Sequence, residues 1–152
     1  MKTIVVGCDN AAVSLKKILV KHMKEQGFTV EDMGCDSAED PTYYPLIAKQ
    51  VCERIIESDY TKEGVLICGT GIGMAMTANK FKGIRAAVCH DIFSAERAKL
   101  SNNANIICLG ERVIGSEVAK KLLDEWLRLS FQDGSSTPKV QAILDIEQLN
   151  LK

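Results

Sequence analysis

Hydrophobic and polar residues follow two alternating patterns along the chain, short apolar runs and longer segments with helical spacing. The apolar runs predict five strands, at residues 3–8, 28–33, 64–67, 83–89 and 104–110. Around these runs, apolar residues recur three or four positions apart, which predicts a helix after each strand. Strands that alternate with helices favour a parallel sheet covered on both faces. The sequence therefore predicts an α/β fold, a three-layer sandwich around a five-stranded parallel sheet.

The amphipathic pattern is strongest at residues 116–129, where Ser116 is the predicted N-cap. The chain continues into a tail at residues 131–152, in which a turn-rich stretch at 132–138 precedes a short apolar helix. We expect this C-terminal helix to pack on a partner subunit, as terminal helices on such linkers often do. A length of 152 residues suits one core, so residues 1–152 are assigned to a single domain.

Composition narrows the possible partners. The net charge of −1 and pI of about 6.1 provide no global field that would recruit nucleic acid or an anionic membrane. No apolar run approaches the roughly 18 residues of a membrane span, and the N-terminus lacks a signal-peptide pattern. The six cysteines form no Cys-x-x-Cys pair, and with only two histidines a structural zinc site is not favoured. We expect a cytoplasmic protein with reduced thiols and without metal or cofactor.

The central strand leads into a glycine-rich turn, whose sequence is Cys68-Gly69-Thr70-Gly71-Ile72-Gly73. Glycines let the backbone turn sharply and bring several N–H groups together, beside the N-terminus of the helix that follows. Such a turn can hold an anion. The glycine spacing does not match the dinucleotide-binding fingerprint, and the absence of Gly-Lys-Ser/Thr excludes a P-loop.

Each part of this turn has a simpler interpretation. The glycines alone are equally consistent with a tight crossover, and a cysteine at the end of a strand is more often part of the core. The combination favours a site, because Cys68 and Thr70 place a thiol and a hydroxyl beside the same cluster of N–H donors.

Polar side chains also follow the other predicted strands. In parallel sheets, ligands bind in the crevice at the carboxyl ends of the strands. The residues expected there, besides the turn, are Asp9, Asn10, His90, Asp91, Glu111 and Arg112. The sequence therefore predicts a crevice that combines a carboxylate, a thiol, an anion-binding turn and a guanidinium.

Several further motifs extend the pattern over almost the whole chain. They are Gly7-Cys8-Asp9, Tyr44-Pro45, Ala78-Asn79-Lys80, Gly83-Ile84-Arg85-Ala86, Asn102-Asn103-Ala104-Asn105 and Gly110-x-Arg112-Val113-Ile114-Gly115. Together with the glycine turn, this set resembles ribose-5-phosphate isomerase type B and the related galactose-6-phosphate isomerase subunits. The resemblance implies a Rossmann-like subunit, a homodimer or homotetramer with active sites at the subunit interface, and no metal. It also implies aldose–ketose isomerisation of a phosphorylated sugar.

The resemblance also implies roles for individual residues. Cys68 matches the base that moves a proton between two carbons through a cis-enediolate, while Thr70 and Asp9 match residues that handle the ring oxygen and hydroxyls of the sugar. The turn amides would stabilise the enediolate, and Arg112 matches a phosphate ligand. The implied substrate-binding residues are Asn10, Tyr44, Gly69, Gly71, Ile72, Gly73, Asn102, Arg112 and Lys139.

Four positions depart from the pattern of the ribose enzyme. Asn10 and Ser101 stand where that enzyme has histidines, and Ser135 and Lys139 stand where it has phosphate-binding arginines. Lysine keeps the charge but not the bidentate fork of arginine. Because a tetrose 4-phosphate cannot close a furanose ring and needs no ring-opening acid, the sequence favours a substrate such as erythrulose 4-phosphate. Ribose 5-phosphate, galactose 6-phosphate and a non-catalytic sugar-phosphate binding protein remain alternatives.

The two histidines are open to more than one interpretation. His90 follows the fourth strand, so it is either an acid or phosphate donor in the crevice or a surface residue that caps the next helix. His22 is expected on the solvent side of the first helix.

Overall fold

A five-stranded parallel sheet forms the centre of the molecule, of which the computed structural model describes residues 1–151. The strands are β1 (Thr3–Cys8), β2 (Thr29–Asp32), β3 (Glu63–Cys68), β4 (Ala86–Val88) and β5 (Ile106–Gly110), in the spatial order β2-β1-β3-β5-β4. Every pairing is parallel, with Cys8 beside Ile67 and Cys68 beside Gly110 at the carboxyl edge. The predicted five-stranded parallel sheet is confirmed.

Helices cover both faces of this sheet. They are α1 (Val13–Glu25), α2 (Tyr44–Glu57), α3 (Ile72–Ala78), α4 (Ile92–Leu100), α5 (Ser116–Arg128) and α6 (Thr137–Asn150). Helices α1 and α4 both pack against α5, whereas α2 packs against α3. The predicted three-layer arrangement is therefore present, and β1, β3 and β5 are buried between the layers. No helix among residues 1–151 is long and apolar enough to cross a bilayer.

Two local predictions were wrong. The fourth strand was predicted over residues 83–89 but has three residues, because Gly83 has a φ of +80° and the N–H of Arg85 donates to Asn105 Oδ1 at 2.7 Å. This short strand lies at the edge of the sheet and is half-buried. Ser116 is not an N-cap; Gly115 takes that position with extended backbone, and no side chain caps the helix there.

The C-terminal helix α6 rests on its own chain along one side. Val140 is buried, and Glu147 Oε1 accepts a hydrogen bond from the Gly83 N–H at 2.9 Å. Three large apolar side chains on α6 stay exposed, at Ile143, Ile146 and Leu149. Packing of α6 on a partner subunit therefore stays a prediction for this exposed side.

A buried ion pair joins α4 to the start of β3. Lys99 Nζ lies 2.9 Å from a Glu63 carboxylate oxygen, and their side chains are 1% and 7% exposed. The same ammonium donates to the carbonyl of Trp126 at 3.0 Å and lies 3.8 Å from the centre of its ring. Burial lowers the pKa of Lys99, whereas Glu63 opposes this by raising it. Lys2 reaches Glu63 at 3.3 Å from the surface.

The Lys99→Met substitution should lower the free energy of unfolding by about 3 kcal/mol, because it leaves a buried carboxylate with one half-exposed partner. Urea denaturation followed by circular dichroism measures this change. The matched control is Lys49→Met, since Lys49 is 57% exposed in its pair with Glu53. This control should change the free energy of unfolding by less than about 1 kcal/mol. Equal losses in the two variants would contradict the prediction. Adding Glu63→Leu to Lys99→Met should restore most of the loss, because the uncompensated charge is then removed.

Candidate active site

The glycine turn lies where the order of the sheet reverses. The chain moves from β1 outward to β2 and then returns past β1 to β3, so the carboxyl ends of β1 and β3 border a topological switch point. The turn that follows β3 therefore lies at the position where open parallel sheets bind ligands.

The turn is held against the end of β5 by backbone contacts. Glu111 N–H donates to the carbonyl of Cys68 at 2.9 Å, and Arg112 N–H donates to that of Gly69 at 3.1 Å. A Cβ added at Gly110 would lie 2.7 Å from Thr70 Cα, closer than such atoms can approach. Gly71 has a φ of +79°, which favours glycine, and an added Cβ there would make a tight contact of 3.1 Å with the backbone of Leu109. Both glycines are therefore required by the geometry of the turn.

Cys68 presents its sulfur to this turn as a hydrogen-bond acceptor. The Gly71 N–H donates to Cys68 Sγ at 3.0 Å, and the residue is 6% exposed. The sulfur is therefore held beside the turn amides as an acceptor and is not turned into the core as a donor.

The other cysteines are buried thiols in a different setting. Cys8, Cys52 and Cys89 each donate through sulfur to a backbone carbonyl. Burial raises the pKa of Cys8 and Cys52 to about 12 and that of Cys35 and Cys89 to about 11. Burial also raises the pKa of Cys108 well above its usual range. Among the residues described, Cys68 is the cysteine whose sulfur accepts a backbone N–H.

Thr70 and the turn amides complete the floor of the site. Thr70 Oγ1 accepts from the Ile72 N–H at 3.2 Å, which leaves its hydroxyl proton available to a ligand. The N–H groups of Gly71 and Ile72 are thus occupied within the chain. Those of Gly69, Thr70 and Gly73 have no acceptor within residues 1–151, so they are the donors that a ligand could meet.

The β1 side of the crevice carries Asp9 and Asn10. The Asp9 N–H donates to the Ile67 carbonyl at 3.3 Å, which places Asp9 next to the strand that ends in Cys68. Asp9 Oδ1 accepts from Ala11 N–H at 3.0 Å, and Asn10 Nδ2 donates to the Asp40 carbonyl at 2.9 Å. Both side chains are fixed by these bonds.

Two larger side chains flank the turn. Tyr44 packs on Gly73, where an added Cβ would lie 2.8 Å from the tyrosine Oη. Tyr44 also lines a depression of about 380 Å³ together with Asp9 and Asn10. Arg112 lies over Gly69, with Nη1 3.3 Å from the position of an added Cβ, while Ile72 is largely exposed. The structure therefore brings together all the predicted site residues of β1, α2, β3 and β5.

Asn102 and Lys139 lie apart from this cluster. Asn102 follows α4 and precedes β5, so it lies at the amino edge of the sheet, whereas the turn lies at the carboxyl edge. The four residue steps of β5, about 13 Å, separate these two edges. It lines a cavity of about 490 Å³ with Lys80, Arg85 and residues of α6. The Gln132 N–H donates to the Leu100 carbonyl at 3.2 Å, so the tail that carries Lys139 begins beside the same edge.

A comparison with protein families identifies this architecture. The model described as Ribose/Galactose Isomerase matches residues 4–143. The chain belongs to the ribose/galactose isomerase family. Family membership confirms the resemblance inferred from the motifs, and with it the predicted class of enzyme, an isomerase.

Individual relatives of the ribose/galactose isomerase family cover nearly the whole chain. A D-erythrulose-4-phosphate isomerase of Pectobacterium atrosepticum is 45% identical over 94% of this chain and 93% of its own length. A ribose-5-P isomerase B of Listeria innocua is 46% identical over 97% and 98%. The structure of ribose-5-phosphate isomerase B from Clostridium thermocellum has a TM-score of 0.92 at 37% identity and covers 97% of this chain and 98% of that one.

Three polar residues have partners that the sequence did not specify. Glu111, predicted at the crevice, accepts the Leu15 N–H at 2.6 Å and so caps the first turn of α1 from outside the helix. His22 pairs with Asp124 of α5 at 2.7 Å, so the prediction of a solvated side chain was wrong. His90 accepts the Gly110 N–H of β5 through Nε2 at 2.9 Å and does not cap α4, where Asp91 accepts the Ser94 N–H. These contacts join distant elements, and no short motif signals them.

Gly110→Ala should reduce turnover about a hundredfold, because the added Cβ displaces Thr70 and the turn that holds Cys68. It should also lower the free energy of unfolding by about 1–3 kcal/mol through overpacking. Steady-state kinetics and thermal unfolding measure both effects. The control is Gly134→Ala, which introduces a Cβ with nothing within 4 Å. If Gly110→Ala were as active as the control, the close contact would not position the turn.

Proposed function

We propose that this chain interconverts an aldose phosphate and a ketose phosphate, with Cys68 as the base that moves the proton. The thiolate takes the proton from the carbon next to the carbonyl, which leaves a cis-enediolate, and then returns it to the neighbouring carbon. The observation that carries this proposal is the Gly71 N–H bond to Cys68 Sγ, since the neighbouring cysteines are donors in the core.

The turn supplies what the enediolate requires. The N–H groups of Gly69, Thr70 and Gly73 are free to donate to an oxyanion, and each well-placed donor contributes about 3 kcal/mol in such sites. Asp9, fixed by Ala11, and the hydroxyl of Thr70 would orient the sugar hydroxyls. Arg112 lies on the same wall and would bind the phosphate group.

The substrate we propose is an open-chain tetrose phosphate, erythrulose 4-phosphate. The two curated relatives have nearly equal identity but are named for different sugars, so identity does not choose between them. The positions of the histidines favour the tetrose phosphate, because a pentose phosphate has a furanose ring and opening that ring needs an acid in the crevice. His22 is bonded to Asp124 and His90 to the Gly110 N–H, so within residues 1–151 neither is placed as that acid. A tetrose 4-phosphate does not need one.

The active site would be completed by a second copy of the chain. Asn102 and the tail share one edge of the subunit, away from Cys68, and this separation supports a role for them in the crevice of a neighbouring subunit. Large apolar side chains are exposed around the crevice and on α6, and a dimer or tetramer would cover them. They include Tyr43, Ile72, Met76, Ile143, Ile146 and Leu149. Such an enzyme would work in the cytoplasm, where its thiols stay reduced.

Cys68→Ser should lower kcat by about 10²–10⁴-fold and leave substrate affinity within about threefold, because it removes the base but keeps the turn. Deuterium exchange in D₂O, followed by proton NMR, reads the proton-transfer step directly. Wild-type protein should exchange the α-proton of erythrulose 4-phosphate faster than that of ribulose 5-phosphate or tagatose 6-phosphate.

The matched control for this assay is Cys52→Ser, since its sulfur donates to the Ala78 carbonyl and a hydroxyl can do the same. It should exchange at nearly the wild-type rate. Unchanged exchange in Cys68→Ser would remove that residue from the mechanism. A faster reaction with ribulose 5-phosphate would assign the ribose substrate, and binding without exchange of any sugar would indicate a binding protein.

Subunit complementation tests the shared site. A Cys68→Ser subunit and a Lys139→Glu subunit, co-expressed with different tags and co-purified, should regain about half of the wild-type activity, because one of two sites then has both residues intact. Each variant alone should be weakly active, the second through a raised KM. Activity of the mixed dimer at the average of its parents would show that Lys139 does not act on the partner's site.

A further inference from the structure

The end of β5 has a hydrogen-bond donor that no strand pairs. Residue Val88 of β4 lies beside Cys108 of β5, and β4 ends there. Two residues farther along β5, the Gly110 N–H points to the side where a longer β4 would have offered a carbonyl. A buried N–H without an acceptor is costly, so this position needs a substitute.

His90 supplies that acceptor through its ring. The Gly110 N–H donates to His90 Nε2 at 2.9 Å. An imidazole nitrogen accepts a hydrogen bond only when it carries no proton, so His90 is neutral here and its proton is on Nδ1. The bond ties the loop after β4 to the residue on which the glycine turn rests.

The chain of contacts from His90 to the reacting groups is short. Gly110 lies beside Cys68 in the sheet and touches the backbone of Thr70, where an added Cβ would lie 2.7 Å from Thr70 Cα. The two residues that follow Gly110 donate to the carbonyls of Cys68 and Gly69. A shift of Gly110 would therefore move the sulfur and the hydroxyl of the site together.

We propose that His90 is a positioning residue for the reaction at Cys68, which it serves by accepting the Gly110 N–H in its neutral form. Protonation of Nε2 would turn it into a donor that faces the Gly110 N–H, also a donor. The hydrogen bond would then break, and the end of β5 would be released. This inference rests on the proposed function for its catalytic consequence, although the hydrogen bond itself is independent of the reaction.

Charge and burial around the ring agree with the neutral form. Burial lowers the pKa of His90, whereas the neighbouring Asp91 raises it and is the weaker influence. The hydrogen bond from Gly110 to His90 is therefore fully formed above the usual pKa of histidine. It is lost as the pH falls through the lowered pKa of His90. Other titratable or charged groups on the adjoining elements are Cys89, Cys108, Glu111, Arg112, Glu117 and Lys121. Glu111 is bonded to α1, and Arg112 lies over Gly69.

Two substitutions at His90 distinguish the contribution of the hydrogen-bond acceptor from that of the aromatic ring. His90→Phe keeps a planar aromatic ring and removes the acceptor, and kcat should fall about tenfold, as expected for one lost hydrogen bond near the reacting groups. His90→Gln keeps an acceptor oxygen that does not titrate, and it should restore kcat to within about threefold of wild type. A merely structural role would lower the thermal stability of both variants without this recovery.

The decisive measurement is the NMR amide signal of Gly110 in the wild-type protein as the pH is lowered from 8 to 5. The signals of Gly110 and Thr70 should shift together with His90 protonation, and those shifts should be absent in His90→Gln. The inference would be overturned if the Gly110 amide signal did not shift when His90 is protonated. Equal kcat values in the phenylalanine and glutamine variants would overturn it as well. Because this signal does not depend on the base, full turnover by Cys68→Ser would defeat the proposed function and leave the Gly110 result standing.

Discussion

The close approach of two backbone segments, the glycine turn after β3 and the end of β5, determines the geometry of the site. At Gly110 there is no space for a Cβ, and Gly71 has a left-handed φ and packs tightly on the backbone of Leu109. The same Gly71 donates its N–H to Cys68 Sγ. The position of the sulfur thus depends on backbone packing, which is more rigid than a contact between flexible side chains.

Buried charged side chains stabilise the fold and do not shape the glycine turn. Lys99 is buried against Glu63, and Lys16 is buried between Asp32 and Asp36. The Lys99 pair joins α4 to the amino end of β3, at the opposite edge of the sheet from the turn, and removal of one partner from such a buried pair is strongly destabilising. The turn itself offers backbone donors that keep their state at every physiological pH. Ion pairs stabilise the framework, while the N–H donors of the turn do not titrate.

The sequence was sufficient to predict the sheet, the glycine turn and the residues at the carboxyl edge, because glycine spacing and apolar runs are local signals. The sequence was insufficient to predict the residue at which a strand ends, and therefore the contacts that depend on that residue. The predicted fourth strand was more than twice as long as β4, and a longer strand would have paired Gly110 through its backbone. His90 fills the resulting gap, and Asn102 lies at the opposite edge for reasons of topology that no motif encodes.

The proposed substrate agrees with the set of polar groups that the framework already uses. The histidines of this chain are bonded within it, His22 to Asp124 and His90 to Gly110. Ser101, one of the two positions where the family resemblance implies a histidine, accepts a hydrogen bond from Arg97 at 3.2 Å. A hydroxyl does not protonate a ring oxygen at neutral pH, because its own pKa is far too high. A sugar that is already open avoids this step, and the phosphate on the terminal oxygen of a tetrose keeps it open. In the proposed function, the absence of a ring-opening histidine and the preference for a shorter sugar are therefore two aspects of the same chemistry.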